Sequence, residues 1–144
     1  MPRLALALSV FFSAAALAKT ECPSKVSDAA IKAHPGAKVS ACKQEKEHGS
    51  VQYEVKLTLA DQGKLELDVT PEGAILQTEE VVKLDTVPKE AVAGFNAKYP
   101  GAKPSKVERQ TKADGSQSFE FAFADAKGKH ESTFKADGTF VEEE

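Results

Sequence analysis

The chain has 144 residues, 41% hydrophobic and 28% charged, with a formal charge of −3. These proportions describe a globular protein of one medium domain or two very small ones and exclude a collagen-like or low-complexity polypeptide. The slight negative balance supplies no basic field for nucleic acid or anionic lipid, and no Trp, two Cys and three His leave few side chains for metal or nucleophile chemistry.

Residues 1–18 carry a single charge, Arg3, followed by an apolar run from Leu4 to Leu17 and the small-residue ending Ala16-Leu17-Ala18. The run is shorter than the roughly 20 residues a spanning helix needs, so a signal peptide cleaved after Ala18 is expected in place of a membrane anchor. Lys19-Thr20-Glu21 ahead of Cys22 is unlike the small apolar lead-in to a lipidated cysteine. The mature chain, 19–144, would carry a charge of −4 and no transmembrane segment, in an exported compartment that is periplasmic or extracellular. There the two cysteines, Cys22 and Cys42, are expected to form a disulfide. Its loop of about 20 residues contributes about 3 kcal/mol in the chain-entropy picture.

The mature chain reads as one unit written twice. Pro23 recurs as Pro88, Pro35-Gly36-Ala37-Lys38 as Pro100-Gly101-Ala102-Lys103, Gly63-Lys64 as Gly128-Lys129 and Gly73 as Gly138, all at a spacing of 65. Gly49-Ser50 and Tyr53-Glu54-Val55 match Gly115-Ser116 and Phe119-Glu120-Phe121 at 66, the extra residue being Asp114 in a turn. Loops absorb such insertions and strands do not. The expected organisation is a first repeat at 19–79, a linker at 80–86 and a second repeat at 87–144.

In each repeat a helical stretch precedes an alternating one. Pro23 and Pro88 stand where a helix start tolerates proline, and Pro35 and Pro100 push the preceding residue out of the α region. The helices so bracketed carry apolar stripes at Val26, Ala30 and Ala33, and at Val92, Phe95 and Tyr99. Beyond a strand near 39–47, Val51, Tyr53, Val55, Leu57 and Leu59 alternate with Gln52, Glu54, Lys56 and Thr58. Leu65, Leu67 and Val69 then alternate with Glu66, Asp68 and Thr70, and a fourth short strand covers 74–78. The second repeat follows the scheme with Phe119, Phe121, Phe123, Phe134, Phe140 and Val141 as its apolar set. The fold class is α+β: two tandem α-β-β-β-β repeats, each a helix packed on one face of an antiparallel sheet.

Cys22 aligns with Val87 and Cys42 with Val107, so the bridged pair of the first repeat becomes an apolar contact in the second. His130 and Ser132 replace Leu65 and Leu67, and the second repeat is expected to lean on the first. A unit of this size buries only about 60% of its unfolded surface.

The series Val87-Pro88, apolar helix, Tyr99-Pro100-Gly101-Ala102, Asp114-Gly115, Phe119-Glu120-Phe121, Gly128-Lys129 and Asp137-Gly138-Thr139-Phe140 resembles the PepSY-like family, also called β-lactamase-inhibitor-like. The first repeat carries the same series as Cys22-Pro23, His34-Pro35-Gly36-Ala37, Tyr53-Glu54-Val55, Gly63-Lys64 and Glu72-Gly73-Ala74. The resemblance implies an exported bacterial protein of tandem α+β repeats, shaped like β-lactamase inhibitor protein. It also implies a binding or inhibitory role without a catalytic set. His34 stands where the family pattern favours Tyr, and no inhibitory loop motif is matched.

His34, His48 and His130 are scattered and form no i, i+4 pair, so neither a zinc site nor a cofactor is expected. No strained nucleophile turn of the G-x-S-x-G kind is present, and no enzyme activity is expected. The candidate binding face is the polar side of the alternation: Glu54, Lys56, Glu66, Asp68, Glu120 and Glu131, with Lys135 beside them. The bland reading is a solvated face whose charges prevent association. The sharper one is a mixed-charge surface that docks a protein of the cell envelope, inhibition of a hydrolase being one form. The alternative is a small ligand or divalent cation on the acidic face. Glu142-Glu143-Glu144 reads as a soluble tail.

Overall fold

A computed structural model describes residues 21–47 and 49–143; the signal peptide expected at 1–18, together with His48 and Glu144, lies outside the described residues. Helix α1 (Ser24–Ala33) leads into strands β1 (Lys38–Glu47), β2 (Ser50–Thr58), β3 (Lys64–Val69) and β4 (Ile75–Val81). After a 3₁₀ turn at Leu84–Thr86, helix α2 (Lys89–Lys98) leads into β5 (Lys106–Lys112), β6 (Gln117–Asp125), β7 (Gly128–Lys135) and β8 (Phe140–Glu143). No helix among the described residues is long and apolar enough to cross a membrane.

Both helices begin where the prolines place them. The carbonyl of Pro23 accepts bonds from the amides of Val26 and Ser27 at 2.9 and 3.0 Å, and that of Pro88 accepts from Val92 at 3.2 Å. At the other end the His34 and Tyr99 amides close the last turn on Ala30 and Phe95. Each helix is too short to persist alone and is held by packing.

The sheets are where expectation and structure part. An antiparallel sheet under each helix is expected from the repeats; among the described residues the eight strands form one antiparallel sheet in chain order, so the two sheets are continuous. The join is β4 against β5, with Gln77 opposite Lys112, Thr78 opposite Thr111, Glu79 opposite Gln110, Glu80 opposite Arg109 and Val81 opposite Glu108. Pairing here covers two edges that separate sheets would expose. Glu80 and Val81, the first residues of the expected linker, thus belong to a strand.

Two hydrophobic clusters lie between the helices and the sheet. Val26 and Ala30 pack with Val55, Leu57, Leu65, Leu67 and Val69; Ala91 and Phe95 pack with Val107, Phe119, Phe121, Phe123 and Phe134. Ala33, expected on the buried stripe of α1, is exposed, and Ala37 is buried in its place. Between the clusters Arg109 pairs with Glu80, leaving a polar seam on the helix side of the join.

Polar residues in the second cluster are satisfied. Ser132 is fully buried and its hydroxyl lies 2.9 Å from Tyr99 Oη, while His130 stacks on Phe123 and lies 2.9 Å from Asp125 Oδ1. The Tyr99 hydroxyl also donates to Glu143 Oε2 at 2.6 Å, tying the last strand to the end of α2.

Cys22 and Cys42 form a disulfide with their Cα atoms 5.4 Å apart. Val87 and Val107, the residues aligned with the cysteines, both belong to the second cluster. The pair Val87→Cys and Val107→Cys is expected to oxidise to a second bridge and to add about 2–4 kcal/mol of unfolding free energy. Two free thiols after oxidative refolding, counted by mass after alkylation, would show that the two places differ in geometry.

Candidate functional site

Strand alternation sends one set of side chains toward the helices and the other to the opposite face of the sheet. That second face is a trough of about 1180 Å³ to which all eight strands contribute, with ten carboxylates and five lysines along its lining. Glu54, Lys56, Glu66, Asp68, Glu120 and Glu131 all line it. The chain carries Lys135 as an exposed residue that does not line the trough.

The trough is not the uniformly solvated surface that alternation implies. Gln52, Glu108, Gln110, Ser118 and Thr133 point to this side and are buried. A concave sheet crowds the side chains of its inner face, and crowding buries even polar ones.

Three cross-strand pairs place acid directly against acid: Glu54 opposite Asp68, Glu66 opposite Glu79, and Glu108 opposite Glu120. Like charges in directly opposed positions destabilise a sheet. Lysines relieve part of this. Lys56 Nζ lies 2.9 Å from Glu66 Oε1 and 3.2 Å from Glu54 Oε1, and Lys106 Nζ lies 2.6 Å from Glu108 Oε2. Burial opposes the Lys56 charge, but the hydrogen bonds to Glu66 and Glu54 outweigh it and raise its pKa.

Glu79 and Glu120 are met by neutral donors. Gln77 Nε2 donates to Glu79 Oε1 at 2.7 Å, and Gln110 Nε2 donates to Glu79 Oε1 at 3.3 Å and to Glu120 Oε2 at 3.0 Å. Ser118 Oγ in turn donates to Gln110 Oε1 at 3.0 Å, which fixes the amide's orientation. Burial, then the charges of Glu79, Glu47, Glu45 and Glu54, pushes Asp68 up to about 7. Burial, then Glu131, Glu79 and Glu108, pushes Glu120 up to about 8 against the opposing effect of Lys106. Burial also raises Glu79, against its hydrogen bond from Gln77.

These shifts make stability depend on pH. Folding raises the pKa of Asp68 from 3.8 and of Glu120 from 4.5, so the folded chain binds more protons than the unfolded chain between about pH 4 and 8. Their favourable contribution is complete below the unfolded values and is lost as pH rises through 7 to 8. The protein is therefore expected to lose stability between pH 5.5 and 8.5. Glu79→Gln with Glu120→Gln is expected to flatten the profile and to gain about 1–3 kcal/mol at pH 8.5, allowing for solvent screening. Urea denaturation at a series of pH values checks this; a wild-type profile that rises across the same range would contradict it.

Two β-bulges complete the trough. Pairing slips between Asp68 and Val69 where β3 meets β4, and between Thr133 and Phe134 where β7 meets β8. The residues set free of the alternation are Leu76 and Val141, 41% and 42% exposed, and both line the trough. Val141 was expected in the core with Phe140, and both are exposed, because a bulge re-aims the side chains beside it. Glu79, Glu108 and Gln110 were not singled out from the sequence, since their strands carry too few apolar residues to reveal which way each position faces.

No protein-family model and no curated protein matches the sequence. Solved structures share the fold at low identity. A protein assigned to the periplasm of Bacteroides eggerthii aligns with a TM-score of 0.65 at 15% identity, over 85% of this chain and 87% of that one. A DUF2874 family protein of Bacteroides uniformis gives 0.65 at 16% identity, over 85% and 88%. A BLIP-like protein of Bacteroides fragilis gives 0.59 at 21% identity, over 84% of each chain. The chain therefore has a BLIP-like α+β fold, with an open eight-stranded antiparallel sheet and two helices among the described residues.

Proposed function

We propose that the chain is an exported, non-catalytic module that binds a protein of the bacterial cell envelope through the trough, hydrolase inhibition being one form of that role. The reading also keeps the signal peptide at 1–18 and the descent of the two halves, 19–79 and 87–144, from one PepSY-like unit, supported by the recurring spacing of 65. The fold shared with periplasm-assigned and BLIP-like proteins supports export and protein binding.

The observation that carries the proposal is the acid-against-acid pairing across the sheet. Such pairing weakens the fold, and a surface selected for stability alone would alternate its charges. A partner that satisfies those carboxylates accounts for their arrangement. One sheet shared by both halves gives that partner a single continuous face.

Charge reversal tests the reading. Wild-type protein immobilised on a biosensor is expected to recover a saturable partner from a native envelope fraction. Glu54→Lys with Glu120→Lys is expected to weaken that partner at least about tenfold, or roughly 1.4 kcal/mol. Unchanged affinity in a folded variant would place the site elsewhere.

A further inference from the structure

Gln110 Nε2 is shared by the carboxylates of Glu79 and Glu120, at 3.3 and 3.0 Å. A neutral amide orients both groups without neutralising either. Among the described residues no lysine or arginine is within ion-pair distance of Glu79, Glu120 or Asp68, while Lys56 and Lys106 are engaged by Glu54, Glu66 and Glu108. At the join of the two halves, Glu79 and Glu120 therefore have no cation in direct contact.

Leu76 and Val141 are large, exposed and apolar on a face that is otherwise polar, and each is delivered there by a bulge. A bare metal ion gains nothing from them; a polypeptide buries them. The carboxylates, moreover, include no group of three among the described residues that is arranged to hold a metal ion.

We propose that the middle of the trough receives a lysine or arginine side chain of a protein partner, between Glu79 and Glu120, while apolar residues flanking it rest on Leu76 and Val141. The inference rests on the trough being the binding face. The incoming cation supplies the charge that Gln110 lacks and holds the carboxylates ionised. Burial and the carboxylates that face them, Glu108, Glu66 and Glu54 toward Glu79 and Glu131, Glu79 and Glu108 toward Glu120, otherwise favour their protonation, with the Gln77 hydrogen bond opposing at Glu79 and Lys106 opposing at Glu120. Binding therefore weakens as pH falls from 8.5 to 6.

The test is calorimetric titration of the full mature protein at fixed ionic strength with three probes. These are a short peptide with two lysines between two leucines, the same peptide with glutamates for the lysines, and Ca²⁺ alone. The lysine peptide is expected to bind at one site, to lose roughly tenfold in affinity in Glu79→Gln with Glu120→Gln, and to lose several-fold in Leu76→Ser with Val141→Ser. The glutamate peptide is expected to give no saturable heat. Equal binding of both peptides, saturation by Ca²⁺ alone with the same sensitivity to Glu79→Gln and Glu120→Gln, or no binding of the lysine peptide would overturn the proposal. Gln110→Lys, which places a cation at the shared position, is expected to abolish peptide binding in a folded protein. If the envelope partner is lost on reversal of Glu54 and Glu120 but binds normally to Glu79→Gln with Glu120→Gln, the trough remains the binding face and only the cationic occupant is wrong.

Discussion

Gly138→Val is expected to lower the unfolding free energy by roughly 3–5 kcal/mol, a large part of the 5–15 kcal/mol typical of a domain. Gly138 lies in the turn between β7 and β8 with φ at +86°, a conformation that costs an L-residue about 1–2 kcal/mol and a β-branched one more. A Cβ there would also run into the carbonyl oxygen of Glu90, in the first turns of α2. The obstruction is backbone, so relief requires the helix to lift from the sheet, at an overpacking cost of about 1–3 kcal/mol. The contact is reciprocal, for a Cβ on Gly94 of α2 would strike the Gly138 carbonyl. In the first half the matching Gly73 has φ at +93° and a Cβ there would stand 2.9 Å from the Lys25 carbonyl oxygen, a looser approach, with Ala29 already occupying the place of Gly94. Gly73→Val is therefore expected to cost less than Gly138→Val. Urea denaturation of both variants decides it, and equal small losses would show that α2 is not seated on its turn as described.

Phe95→Ala should be comparably severe, at about 3–5 kcal/mol. Phe95 is 1% exposed and its ring is the hub of the second cluster. Phe121 stacks on it at a centroid distance of 4.7 Å, Phe123 meets it edge-on at 5.3 Å, Tyr99 lies at 5.4 Å and Phe134 at 6.2 Å. Truncation removes the transfer free energy of the ring and leaves a cavity whose sheet-side walls are held by three strands and cannot collapse freely. The matching position in α1 is Ala30, equally buried, where the volume comes from Leu57, Leu65 and Leu67 on the sheet. The two clusters thus divide the filling of one gap differently between helix and sheet. A loss below 1 kcal/mol in guanidinium unfolding would show that the aromatic cluster is not the main support of the second half.

The helices were legible because proline marks both ends of each, and the disulfide because two cysteines behind an expected signal peptide have little else to do. Alternation along β2, β3 and β6 separated Glu54, Lys56, Glu66, Asp68 and Glu120 from the core, and these side chains do share the trough. The join between β4 and β5 carried no local sign. Thr78 pairs with Thr111, 33 residues away, and neither ILQTEEV nor KVERQTK alternates strongly enough to announce a central strand. Glu79, Glu108 and Gln110 were missed with it. Val141 was misplaced for a different reason: a bulge shifts register by one residue, and with a period of two a shift of one reverses the face.

The proposed binding surface is the trough and not the helix side. Carbodiimide labelling of carboxyl groups, read by mass spectrometry with and without the envelope partner, tests this most directly. Labelling is expected to fall at Glu54, Glu66, Asp68, Glu79 and Glu120 on complex formation and to stay unchanged at Asp28, Asp85 and Glu90 on the helix side. Protection of Asp28, Asp85 and Glu90 with the trough carboxylates still labelled would contradict it.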